Sequence, residues 1–145
     1  MTTQTLAQAT RTSALVTMST LAANNYIASS AIDLGATIPL DVTLEVVATA
    51  TSPAGNKQIV VFIKCSLDNT NWGSGPESGS TVTDEPNLIY VGALPVNTSA
   101  TAETKHFSLA GLPVTRYIKI VCKNDLGVAL TRGFVYRGDI TGSSA

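Results

Sequence analysis

Few residues in this chain are able to do chemistry. There is one histidine, His106, two cysteines, Cys65 and Cys122, and ten acids spread over 145 residues. Nucleophilic catalysis needs a nucleophile, a base within hydrogen-bond reach and a group that orients the base. His106 is the only imidazole, and strand alternation puts it on the wet side, opposite Phe107 and Leu109. No Gly-x-Ser-x-Gly elbow accompanies it. A zinc site needs about four ligands at compatible spacing, and two cysteines 57 positions apart plus one histidine do not supply them. Cys65 and Cys122 both fall on inward-facing positions; they read as small core residues, with a disulfide open if their strands are neighbours.

Oxygen ligands are a looser case. Asp68, Asn69, Asn71, Asp84 and Glu85 are clustered, but they lack the D-x-D-x-D-G calcium pattern. Gly73 and Gly75 are followed by Pro76 and no helix, so no phosphate loop is present. The expectation is a protein that is not an enzyme and uses no cofactor or metal.

Composition points to the elements that would carry any function. Charged residues are 13%, about half the usual ~25%, while Thr numbers 20, Val 13 and Ile 9. Such residues favour strands. The net charge is −1, with no basic excess for nucleic acid, and no apolar run approaches the ~18 residues of a membrane span. The stretch 14–23 is mildly apolar, but Thr and Ser interrupt it and only Arg11 precedes it as a base, so it does not read as a secretory signal.

The expected fold is all-β: a seven- to eight-stranded antiparallel β-sandwich, jelly-roll-like, with an extended N-terminal arm. The arm covers 1–23, the sandwich 24–138 and a loose Gly/Ser-rich tail 139–145. Along 40–50, Leu40, Val42, Leu44, Val46, Ala48 and Ala50 share one face. Along 57–67, Ile59, Val61, Ile63, Cys65 and Leu67 share a face, and Val60 and Phe62 make the opposite face apolar too. A strand greasy on both sides is either central or covered on its outside, by the arm or by a partner chain. In 114–123, Val114, Ile118, Ile120 and Cys122 face inward and Lys119 and Lys123 outward; in 130–137, Leu130, Phe134 and Tyr136 share one side.

Three features suggest contacts. The polar arm lies either on its own domain or, the preferred reading, on a neighbouring subunit. The long loop 68–86 holds four acids, no base and the only tryptophan, Trp72, which pins the loop to the body or anchors an interface. Residues 105–137 hold six bases against one acid, Asp125. That polarity is either an ordinary mixture, or a complementarity between copies or a docking of the basic side on an acidic lattice. The interface candidates are Arg11, Leu15, Met18, Val60, Phe62 and Trp72.

The run AIDLGATIPL at 31–40, the alternating strand after it, GNKQIVVFIKCSL at 55–67 leading into Asp68-Asn69-Thr70-Asn71-Trp72, DEPNLIYVGALP at 84–95 and KIVCKND at 119–125 together resemble small virion proteins of tailed bacteriophages. The resemblance spans about residues 12–138. Among such proteins, some capsid cement or decoration proteins are jelly rolls of similar size that dimerise on the outer shell. The resemblance therefore implies a cement protein stabilising the head, found in virions assembled in the host cytoplasm. Its partners would be the major capsid protein or other virion proteins and further copies of itself, as a homodimer or higher homo-oligomer, with no direct contact to nucleic acid or membrane. A neck, tail or fibre component is the first alternative. A carbohydrate-binding β-sandwich, with Trp72, Tyr90 and Tyr136 as a stacking platform, is the second.

Overall fold

The computed structural model describes residues 3–112 and 115–144. Met1, Thr2, Pro113, Val114 and Ala145, which the arm, turn, strand and tail expectations included, lie outside the described residues. The strands in chain order are β1 (Gln4–Gln8), β2 (Val16–Thr17), β3 (Tyr26–Ala28), β4 (Ile32–Asp33), β5 (Asp41–Ala50), β6 (Gln58–Ser66), β7 (Ser78–Gly79), β8 (Ile89–Pro95), β9 (Glu103–Ser108), β10 (Tyr117–Asp125) and β11 (Leu130–Ser144). A single 3-10 turn covers Glu85–Asn87.

These strands form two antiparallel sheets. Sheet A has the order β1-β11-β5-β9, with β2 also on β11; sheet B has the order β7-β3-β10-β6-β8, with β4 also on β10. β1 and β2 are two pieces of one interrupted strand along β11, and β3 and β4 two pieces along β10. The pairing is then nested: the first strand lies on β11, the second on β10, β5 on β9 and β6 on β8. This is the connectivity of a jelly roll, two Greek keys rolled into a sandwich. The expected all-β antiparallel sandwich is the observed fold.

The core between the sheets follows the period-two pattern of the sequence. Val42, Leu44, Val46, Ala48 and Ala50 of β5 face Ile59, Val61 and Ile63 of β6 and Ile118, Ile120 and Cys122 of β10. Phe107 and Leu109 join them, as their alternation predicts. Leu40 and Leu67 do not: each lies just outside its strand, 64% and 83% exposed. β6 and β10 are neighbours, yet their register sets Cys65 opposite Ile118 and Cys122 opposite Val61. That offset is about 13 Å along the strands, too far for a disulfide between the two. Burial pushes the Cys122 thiol up to about 12.

Three segments depart from expectation. The N-terminal stretch is not an arm on a neighbour but an edge strand of its own sheet. Ala9, Thr12, Leu15 and Met18 donate their N–H groups to Asp139, Arg137, Val135 and Gly133 of β11, and Val16 and Met18 are buried in the core. The 139–144 stretch, expected as a loose tail, is the second half of β11, because β1 supplies the partner for its backbone. Finally, a register shift between Leu130 and Arg132 changes the side that later residues face. Leu130 and Val135 point inward, and Phe134 and Tyr136 point outward.

Truncating Leu44 to alanine leaves a cavity in the centre of this core, and the expected loss is about 2–5 kcal/mol. Leu67→Ala is expected to change stability by less than about 0.5 kcal/mol. Denaturant unfolding midpoints of the two variants, compared with the unaltered chain, check both.

Candidate interaction surfaces

Each sheet has an outer face, and the chain treats the two differently. On sheet B the register places Val60, Phe62 and Lys64 of β6 beside Lys123, Val121 and Lys119 of β10, all pointing away from the main core. The loop between β6 and β8 folds down over them. Leu88 and Tyr26 complete a second buried cluster with Val60, Phe62 and Val121. The outer cover of the doubly apolar strand is thus neither the N-terminal stretch nor a partner, but this chain's own loop.

Electrostatics hold the loop in place. Glu77 Oε1 lies 2.8 Å from Lys119 Nζ and 3.4 Å from Lys64 Nζ. Lys64 also donates to the Gly75 carbonyl at 3.0 Å, and Lys123 Nζ meets Glu85 at 2.9 Å. The Tyr26 hydroxyl donates to the same Glu85 carboxylate. Trp72 lies under the Lys119 ammonium, 4.5 Å from the ring centroid, and pairs with Ser66. Gly75 has no room for a side chain: a Cβ would sit 2.6 Å from Leu88. Glu77 and Glu85 therefore offset two of the three charges on Lys64, Lys119 and Lys123, and part of the charge polarity of the sequence is internal.

The loose calcium pattern is spent in the same way. The Asp68 carboxylate accepts the backbone N–H groups of Asn71 and Thr70 and the Asn71 side-chain amide, and these hold its pKa well below the carboxylate range. Glu85 is tied to Lys123 and Tyr26. Among the described residues no three His, Cys, Asp or Glu side chains gather to hold a metal ion.

The outer face of sheet A has no such cover. His106, Glu45 and Tyr136 stand in one row across β9, β5 and β11. Arg11 reaches in from the N-terminal stretch, with Nη1 2.7 Å from Glu45 Oε1 and Cζ 4.2 Å above the Tyr136 ring. His106 Nε2 is 3.1 Å from the other Glu45 oxygen. Burial pushes Glu45 up, but the hydrogen bonds from Arg11 and His106 outweigh it, so the carboxyl sits below its ordinary value. Next along β11, Phe134 lies 6.1 Å from Tyr136, centroid to centroid, with the Arg132 guanidinium 5.2 Å above it. Arg132 is exposed and forms no ion pair among the described residues. A groove of about 430 Å³ runs beside Arg11, Glu45 and His106, and a smaller one of about 190 Å³ beside Phe134 and Arg132.

The expected interface residues are thus dispersed. Met18, Val60 and Phe62 are buried within the chain, Leu15 is partly buried against the main core, and Trp72 is half-buried on Lys119. Arg11 alone stands on the open face. Trp72 and Tyr90 lie over sheet B and Tyr136 over sheet A, so the three do not form one stacking platform. Arg132, one of the six bases of 105–137, and Phe134 were not among the expected interface residues. Their signal is the alternation of Arg132, Phe134 and Tyr136 itself, once the register shift is known to turn that side outward.

Neither a comparison with protein-family models nor one with curated proteins finds a match.

Acid should release the sheet B loop. Burial raises Glu77 and Glu85, but hydrogen bonds from Lys119 and from Tyr26 and Lys123, with the lysine charges, outweigh it and leave both below their ordinary 4.5. A carboxyl lowered on folding stabilises the docked loop above its unfolded value and loses that contribution as pH falls through the folded one. Docking is expected to be constant from pH 7 to about 5 and to weaken below 4.5. Trp72 is the only tryptophan, so its fluorescence reports the loop directly; Glu77→Gln should show the loosened signal already at neutral pH.

Proposed function

We propose that this protein is a structural subunit of a bacteriophage particle, most specifically a cement or decoration protein of the head shell, which binds neighbouring proteins through the outer face of sheet A. The observation that carries this reading is the contrast between the two faces. On one, the chain's own loop buries Val60, Phe62 and Val121, though Tyr90 stays exposed at the margin; the other displays Arg132 and the half-buried Phe134 and Tyr136, overlain only by arginine side chains. Arginine and large aromatic side chains dominate the binding energy of protein interfaces, because a flat ring and a planar guanidinium bury much area while losing little conformational freedom. A rigid sandwich presents them at fixed spacing. Repetition over a particle turns modest single contacts into firm retention.

The resemblance to tailed-phage virion proteins supplies the kind of particle. A neck or tail position would use the same face with a different neighbour, and copy number separates the two: a count matching the shell subunits fits a cement protein, and a few copies fit a ring. The N-terminal stretch is a poor target for deletion, since Val16 and Met18 are core residues.

Point variants on the open face make the test. In particles that carry this chain, Arg132→Glu and Tyr136→Ala are each expected to lower retention after washing by about tenfold or more. Leu67→Ala, on the far side, should leave it unchanged. Retention indifferent to both open-face variants, or absence of the chain from purified particles, would overturn the proposal.

A further inference from the structure

The sheets have four edges, and three are guarded. β9 carries Glu103, Lys105 and His106; β8 ends in Pro95 and is bulged against β6; β7 is two residues long. Charge, proline, bulges and shortness are the usual defences against edge-to-edge pairing. β1 has none of them. Its sequence Gln-Thr-Leu-Ala-Gln is uncharged, every residue is exposed, and Leu6 lies over Gly142 at 64% exposure. β1 also reaches beyond the sandwich. β5 accompanies β11 only to Ile140, whereas β1 follows it to Ser144, so Gln4 to Ala7 pair with a stretch that has no other neighbour in the sheet.

The free edge of β1 has a definite hydrogen-bonding parity. Ala9 donates its N–H to Asp139. Antiparallel pairs alternate, so Ala7 and Thr5 also direct their backbone groups to β11, at Thr141 and Ser143. Gln4, Leu6 and Gln8 direct theirs away. The strand is nearly symmetric about Leu6: glutamine at each end, a small residue on each flank. A two-fold axis at Leu6 sets Leu6 against Leu6 of a second copy and Gln4 against its Gln8. In that register every residue at the seam has its N–H and C=O facing the seam, and no charge meets a like charge.

We propose that β1 is a self-pairing edge: two copies of this chain join antiparallel through Gln4, Leu6 and Gln8, so that sheet A runs continuously across the dimer. The occupant is a second copy because the pattern is complementary to itself and isologous contact is the geometry of a two-fold dimer. The two Leu6 side chains cover one another at the centre. The pairing does not depend on the particle proposal, since it uses the edge of the sheet and leaves the outer face open.

Sedimentation of the full chain over about 1–100 μM tests this. A monomer–dimer equilibrium is expected, and Leu6→Lys, which sets two ammonium groups face to face, should weaken it by about tenfold or more. The unfolding midpoint of Leu6→Lys should match the unaltered chain at low concentration, showing that the variant is folded. Leu6→Cys should oxidise to a covalent dimer far faster than Leu67→Cys, although Leu67 is the more exposed position. A chain that stays monomeric throughout, a dimer indifferent to Leu6→Lys, or equal cross-linking at both positions would overturn the inference.

Discussion

The pairing of the two ends of the chain along β11 holds this fold closed. β11 is flanked by β5 on one side and by the N-terminal stretch on the other, and the second contact delivers Val16 and Met18 into the sandwich. Without it, Leu130 and Val135 would lie at a wet sheet margin. Asn124 secures the junction where this stretch passes into the second sheet. Fully buried, it donates through its side-chain amide to the Leu21 and Val128 carbonyls and accepts from the Leu126 N–H. A buried amide is tolerated only when its groups are satisfied in this way. Nested pairing of strands so distant in the chain carries a closure entropy that the buried contacts must offset.

That closure sets the difference between the two outer faces. The last strand carries Arg132, Phe134 and Tyr136, and the register shift near its start turns them outward, where Arg11 of the N-terminal stretch lies over Tyr136 but no loop covers them. The middle of the chain supplies the loop that covers the opposite face, and two of its acids, Glu77 and Glu85, stand over the three lysines beneath. An apolar patch capped by ion pairs resists docking by another molecule, because a partner would have to displace both. On the face of sheet A, Arg132 over Phe134 has no ion pair among the described residues for a partner to displace.

Much of this was legible in the amino-acid pattern. The alternation of β5, β6, β9 and β10 reads directly as an all-β sandwich with the observed inward residues, because period two is dictated by the pleat. The doubly apolar Val60 and Phe62 correctly signalled a second covered surface. What covers them was not legible: loop acids and strand lysines are far apart in sequence, and only the register brings Lys64 beside Lys119. Phe134 and Tyr136 were misassigned for a similar reason, since one inserted residue inverts every later side chain and leaves no mark in composition. The N-terminal stretch looked like an arm for a neighbouring subunit because its partner strand lies at the other end of the chain, where Gly and Ser suggested a loose tail.

The central claim is that this molecule acts by gripping other proteins with the outer face of sheet A. A density map of an assembled particle at near-residue resolution tests it most directly. The account predicts many copies on the shell, each with Arg132, Phe134 and Tyr136 against a neighbouring subunit and the Trp72 loop turned to solvent. Copies bound through the Trp72 loop with the face of sheet A open, or particles lacking the chain altogether, would contradict it.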